Sequence, residues 1–348
     1  MYPKETPMID LPDKEPDFGF LHEIILGSVR ARLLLTGIEM KLFDYLCQPR
    51  SAGELARILG LHPENTRYFL DGLAACKLVS KQTEFYRNTN ISRTFLVEDS
   101  PTYLGKMLEY SARTYEAGFA DIASLLQNGP PENSCCTEKE FQAMNAHGAQ
   151  MIENLQRAGF ARMAVEIIRT LPEFSSFQQM LDLGGGPGLT GIAIVSSHPA
   201  MQGVIFDFPA VIPAAEKNIK AYKMTEKMTV MGGNFRHDSV GSGYDLVWAG
   251  GTLNFAKEDL QKIVQKIHNA MNPKGVFVSF HEGFSHEGTA PEQSVLGKMS
   301  TNLMGYDYGL DQGVIAHAMT CVGFASVCSR TLNTPMGPID VDIARMPL

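Results

Sequence analysis

Two carboxylates flank a run of glycines in the second half of this 348-residue chain. The string Asp182-Leu183-Gly184-Gly185-Gly186-Pro187-Gly188 follows a short apolar run and leads into a second one. Glycines at the turn from a strand into a helix let backbone N–H groups approach a ligand, and the helix N-terminus favours negative charge there. Alone, such a loop serves NAD as readily as another nucleotide cofactor. Three details narrow the choice. Asp182, just before the glycines, is placed for a cationic amino group, and the loop reads GGGPG where NAD sites read GxGxxG. Phe206-Asp207-Phe208-Pro209 ends the next apolar run, where Asp207 can take two ribose hydroxyls. Gly232-Gly233-Asn234-Phe235 follows a third, where Asn234 can hydrogen-bond an adenine and Phe235 can pack on its face. Together they favour S-adenosylmethionine.

The elements that hold this loop follow from the pattern around it. Residues 180–183, 203–206, 228–231, 244–248 and 275–280 read as strands, and 189–197, 211–222 and 258–271 as the helices between them. Strands alternating with helices predict an α/β fold with a parallel, doubly wound, Rossmann-like sheet. Residues 325–328 and 341–344 can close it as antiparallel strands.

Upstream the chain reads as helical. Residues 21–46 carry apolar side chains at helical spacing, broken by Gly27 and Gly37. Ser51 with Glu54 is a capping-box pattern for a helix that Gly60 can end. A helix near 65–76 and strands at 78–80 and 85–88 complete a winged helix. Its recognition helix offers only Arg67 among basic residues before Lys77, which is thin for phosphate contacts. The module therefore reads as a dimerisation unit, and nucleic acid is not expected as a partner. The formal net charge of −8 points the same way, because non-specific nucleic-acid binding rests on clustered Lys and Arg. No apolar run is long enough to span a membrane, and residues 1–17 lack the basic start and apolar stretch of a signal peptide. The expectation is a cytoplasmic protein without membrane partners.

The six cysteines show no CxxC spacing. The pair Cys135-Cys136 and the string from His281 to Glu287 read as ordinary side chains rather than metal ligands, so no metal is expected. The 18 methionines read as core filler. The chain divides into a winged-helix dimerisation domain at 1–105, a helical connector lining an acceptor pocket at 106–170, and a cofactor domain at 171–348.

These features resemble the plant-type and bacterial small-molecule O-methyltransferases, which include caffeate, hydroxyindole and antibiotic-tailoring enzymes. The front half matches that family around Gly37-Ile38-Glu39-Met40-Lys41-Leu42-Phe43-Asp44-Tyr45-Leu46 and Ala52-Gly53-Glu54-Leu55-Ala56; the back half is similar to its DxGGGxG, FDxP and GGDxF motifs, with Asn234 in place of the Asp. The resemblance runs over residues 21–347. It implies methyl transfer from S-adenosylmethionine to a small, planar molecule, a homodimer, and cofactor contacts from Asp182, Gly184, Gly185, Gly186, Asp207, Phe208, Gly233, Asn234, Phe235 and Gly250. It implies an acceptor pocket drawn from Phe141, Met144, His147 and Met304.

A phenol ionises near a pKa of about 10, so a general base helps its methylation, by roughly 10²–10⁴-fold. The family's base is a His after the fourth strand. That position falls on Asn254, which accepts no proton at neutral pH, and the two supporting Glu positions fall on His281 and Gly309. The catalytic candidates are then His281 and His147 as bases, with Asn254 in the base position. Other readings stay open: an acceptor atom that is S, N or C, a relative that uses the cofactor for decarboxylation or hydroxylation, or a winged-helix regulator.

Overall fold

The structure, a computed structural model, describes residues 17–131 and 138–348. Cys135, Cys136 and the side chain of Phe141 lie outside the described residues. The described residues form two compact units that divide between Ser100 and Pro101.

The first unit holds α1 (Gly19–Glu39), α2 (Leu42–Tyr45), β1 (Arg50–Ser51), α3 (Ala52–Leu59), α4 (Pro63–Ala75), β2 (Val79–Gln82), β3 (Phe85–Asn88) and α5 (Asn90–Phe95). Its strands pair antiparallel in the order β1-β3-β2. The capping box forms: Ser51 Oγ accepts from the Glu54 N–H at 3.3 Å, and Glu54 Oε2 accepts from the Ser51 N–H at 2.8 Å. Gly60 ends α3 in the left-handed conformation. The two glycines do not break the first helix, because α1 runs through both. A Cβ on Gly37 would lie 3.0 Å from the Phe43 ring, so this glycine lets that ring pack against the helix. Phe43, Leu55, Leu70, Leu73 and Tyr86 form the buried centre, while α1 leaves Phe20, Leu21, Ile24, Ile25 and Val29 exposed.

The second unit opens with α6 (Gly105–Phe119), α7 (Ile122–Asn128) and α8 (Glu138–Leu155), then a π-helical turn (Gln156–Phe160) and α9 (Ala161–Arg169). The sheet region follows as β4 (Gln179–Leu183), α10 (Leu189–Ser196), β5 (Gln202–Asp207), α11 (Ile212–Ala221), β6 (Met228–Gly232), β7 (Tyr244–Gly250), α12 (Leu260–Ala270) and β8 (Met271–His281). The chain closes with β9 (Gly283–Phe284), α13 (Glu292–Leu303), β10 (Leu310–Asp311), α14 (Val314–Cys321), β11 (Ser326–Thr334) and β12 (Gly337–Arg345).

The main sheet runs β11-β12-β8-β7-β4-β5-β6. Strands β4 to β8 are parallel and β12 and β11 antiparallel. From β4 the chain builds outward to β5 and β6, then returns to place β7 and β8 on the other side. The strand order therefore reverses between β4 and β7, and ligands bind outside the carboxyl ends of strands at such a point. Side chains alternate across the sheet. Leu246 and Trp248 enter the core on one face, and Val247 and Ala249 the core on the other. The closing hairpin is longer than the apolar pattern predicts. β11 is an edge strand with half-exposed and polar side chains, so most of its length carries no apolar signal.

Candidate functional site

The loop after β4 needs its glycines. Gly184, Gly186 and Gly188 take φ of 67°, 60° and 78°, a left-handed region that other residues enter at a cost. A Cβ on Gly184 would lie 2.3 Å from Thr252 Oγ1, and one on Gly185 2.7 Å from the Asp182 carboxyl. The loop then folds on its neighbours. The Gly184 N–H donates to Phe206 O at 2.8 Å, and the Gly186 N–H to Asp207 Oδ2 at 2.7 Å. Gln156, in the π-helical turn, reaches the same loop. Its Oε1 accepts from the Leu189 N–H at 3.1 Å, and its Nε2 donates to Gly185 O at 3.3 Å. Sequence reasoning missed Gln156, and π turns of this kind concentrate at functional sites.

Asp182 stands behind the loop, buried, with Oδ2 accepting from the Gly191 N–H at 2.9 Å. Burial is the main cause that pushes its carboxyl up to about 7, against the Gly191 hydrogen bond. No cation pairs with it among the described residues. Such a group costs free energy when ionised unless a positive charge arrives, so the site fits a ligand bearing an ammonium. Asp207 is also raised by burial, opposed by hydrogen bonds from the N–H groups of Gly186 and Phe208.

A cavity of about 480 Å³ opens at the reversal point, within the usual range for small-molecule sites. Asp182, Gly184, Gly185, Gly250, Asn254, His281 and Met144 line it, as the sequence predicts for one site. Its walls are aromatic. Trp248 stacks on Phe280 with ring centres 5.6 Å apart, and Phe160 meets Phe280 edge-on at 5.9 Å. Thr190, Phe255, Glu282, Lys298, Thr301 and Tyr308 also face it and were not read from the sequence. Trp248, the chain's single tryptophan at the end of a strand, was the one signal available.

Several expected residues stand elsewhere. His147 is exposed and faces Tyr110 of α6, ring centres 6.2 Å apart, rather than the cavity. At about 100° per residue, position 147 falls about 60° from Met144 and farther from Leu155 and Ile152, on the edge of the stripe that lines the cavity. Met304 follows the last turn of α13 and does not line the cavity, whereas Thr301 does. Phe208 packs against Ala149 and Val211. Gly233 sits close over Phe206, where a Cβ would lie 2.9 Å from the ring. Asn234 Oδ1 accepts from the Arg236 N–H at 3.0 Å, and the Asn234 N–H donates to Asp238 at 2.8 Å. That turn sends Phe235 into the core with Leu183 and Phe206, so its ring is not offered to the cavity.

In the base position, Asn254 donates Nδ2 to Tyr308 O at 3.0 Å. His281 reaches the cavity lining from the end of β8, with its Nε2 4.0 Å from Asp342 Oδ2 and its side chain 1% exposed. Burial lowers its pKa, against the pull of Asp342, which favours the neutral ring. Gly309 lies against Phe284, where a Cβ would be 2.0 Å from the ring.

Comparison with known proteins agrees with this architecture. Residues 22–98 match the O-methyltransferase dimerisation domain, and residues 139–308 the O-methyltransferase domain. The N,N-dimethyltransferase OxyT of Streptomyces rimosus is 26% identical over 79% of this chain and 81% of its own length. The tetracenomycin polyketide synthesis 8-O-methyl transferase TcmO of Streptomyces glaucescens is 24% identical over 94% and 97%. The crystal structure of human N-acetylserotonin methyltransferase in complex with SAM superposes with a TM-score of 0.78 at 20% identity, covering 98% of this chain and all of that one. The chain is a methyltransferase with S-adenosylmethionine as its cofactor, and it belongs to the O-methyltransferase family with an N-terminal dimerisation domain.

Proposed function

We propose that this enzyme methylates a small, planar hydroxylated molecule held in the aromatic-walled cavity. The observation that carries this reading is the buried, cation-free Asp182 carboxylate on a cavity with aromatic walls. Asp182 holds the amino group of S-adenosylmethionine, and Gly184, Gly185 and Gly250 let its backbone-sized parts approach. Asp207 keeps lone pairs for ribose hydroxyls beside its two N–H partners. Gly186, Phe208, Gly233 and Asn234 shape the adenosine side, and Phe235 supports it from the core. When bound, the cofactor supplies a methyl group on a positive sulfur. The residues around it align the acceptor and exclude water, and alignment of this kind contributes about 7–11 kcal/mol in the best cases.

The reading assigns 1–105 to dimerisation, 106–170 to the acceptor pocket and 171–348 to the cofactor. The enzyme works as a homodimer in the cytoplasm. A dimerisation domain and the exposed apolar side of α1 support this, and among the described residues no helix is long and apolar enough to cross a membrane. The test is formation of S-adenosylhomocysteine from S-adenosylmethionine with a panel of hydroxylated aromatics. Binding of the cofactor without turnover on any acceptor would count against methyl transfer.

A further inference from the structure

We propose that the acceptor enters the cavity already ionised, as a planar ring whose hydroxyl is acidified by conjugation to a carbonyl, with its oxyanion set against Lys298. This rests on the methyl-transfer reading above. The titratable side chains on the cavity, among the described residues, are Asp182, His281, Glu282, Lys298 and Tyr308. Asp182, His281 and Glu282 are each already committed elsewhere and poorly placed to take a proton from an ordinary phenol. Asp182 belongs to the cofactor loop. His281 lines the cavity with a side chain only 1% exposed, and its Nε2 lies 4.0 Å from Asp342. Asn254 spends its amide on Tyr308 O. Glu282 is ion-paired with Lys298, so its carboxylate is already engaged.

Lys298 is different. An ammonium has three N–H donors, and Glu282 is its ion-pair partner among the described residues. Of the elements packed on α13, α6 brings Tyr115 close to Gly297, β12 carries Asp340, Asp342 and Arg345, the last paired with Glu173, and α7 and β9 carry no titratable side chain. Asp340 is engaged by Gln312 and Thr331. Lys298 is thus the one Lys or Arg lining the cavity, among the described residues, on a wall that also carries Trp248, Phe255, Phe280 and Tyr308. Charge-assisted hydrogen bonds to an oxyanion are strong in such a place.

The chemistry then needs no base. At pH 7 a hydroxyl of pKa about 6 is roughly nine-tenths ionised, and one of about 10 is ionised to roughly one part in a thousand. A lone pair of the oxyanion forms the O–CH₃ bond, and the CH₃–S bond breaks with its electron pair going to sulfur. No proton moves in the step.

The test uses 2-hydroxy-1,4-naphthoquinone, whose hydroxyl is a vinylogous acid, and 1-naphthol, whose hydroxyl is not. Both are assayed with the full-length enzyme at saturating S-adenosylmethionine, so that the titration of Asp182 does not enter. The expected result is a kcat/KM at pH 7 at least roughly 100-fold higher for the naphthoquinone, with the 1-naphthol value rising about tenfold per pH unit until its own pKa. Lys298→Met should cut the naphthoquinone value by roughly tenfold or more, and Lys298→Arg should keep most of it. Calorimetry with S-adenosylhomocysteine checks that both variants remain folded and bind the cofactor product. Equal rates for the two acceptors, a pH midpoint common to both, an unaffected Lys298→Met enzyme, or no turnover of the naphthoquinone by an enzyme that binds S-adenosylhomocysteine would each overturn the proposal. An enzyme that does not bind S-adenosylhomocysteine at all would instead overturn the methyl-transfer reading beneath it.

Discussion

Asp182 Oδ2 accepts the backbone N–H of Gly191 at 2.9 Å, so the glycine loop and the first turn of α10 fold around one buried carboxyl. A Cβ on Gly191 would come within 2.6 Å of that oxygen. This explains why glycine recurs beyond the loop itself.

The first prediction concerns pH. Burial raises the Asp182 carboxyl from 3.8 to about 7 in the folded protein. A raised folded-state pKa means that its stabilising contribution is complete below the unfolded value and is lost as pH rises through about 7. The loss is on the order of 4 kcal/mol for a fully buried group. A bound ammonium should restore it. Thermal melts between about pH 5 and 8 should therefore show S-adenosylhomocysteine stabilising the protein increasingly as pH rises through that window. Stabilisation of equal size at every pH would speak against Asp182 as the ammonium partner.

The second concerns Gln156. Replacing it by Ala leaves the Leu189 N–H and the Gly185 carbonyl without this side chain. An unsatisfied polar group costs about 1–3 kcal/mol, so the affinity for S-adenosylhomocysteine should fall roughly 5- to 100-fold. Gln156→Glu keeps the acceptor for Leu189 but faces the Gly185 carbonyl with a second acceptor, and should lie between. Unchanged affinity in Gln156→Ala would mean that the loop holds its shape without the π turn.

Gly309 provides the third. The Phe284 ring occupies the space of a Cβ at this position, so Gly309→Ala should destabilise by about 1–3 kcal/mol through overpacking. Gly309→Glu, the residue the resembled family carries there, should lower the melting temperature and restore no phenol-directed base. A stable Gly309→Glu protein with raised activity on 1-naphthol would show that the lost family residue is still usable.

The fourth concerns assembly. Phe20, Leu21, Ile24, Ile25 and Val29 stand exposed on α1, and monomers rarely expose contiguous apolar patches of this kind without use. Sedimentation should give a dimer for the wild type and a monomer for the double variant Leu21→Glu, Ile25→Glu. A wild-type monomer at micromolar concentration would remove the homodimer.

The cofactor loop was legible because backbone geometry restricts it to glycine, and Asp182 and Asp207 sit at fixed offsets from it. The parallel strands were legible because both of their faces are buried and they read as apolar runs. The far wall of the cavity was not. Lys298 lies on α13 and Glu282 just beyond β8, far from the loop in sequence and within no recognisable motif. His147 stands beside Tyr110 and is not among the residues lining the cavity, a placement that the spacing from Met144 does not reveal. Phe235 packs with Leu183 and Phe206 after a capped turn that the residue types alone do not reveal.

The role proposed for the buried Asp182 carboxylate is to receive the cofactor's amino group. The direct measurement is titration calorimetry of S-adenosylhomocysteine into the wild type and Asp182→Asn at pH 8, with circular dichroism to confirm that both are folded. One site per chain is expected in the wild type, with a loss of about 2–5 kcal/mol of binding free energy in the variant, as when one partner of a buried ion pair is removed. Equal affinities in two folded proteins, or no binding by the wild type, would contradict it.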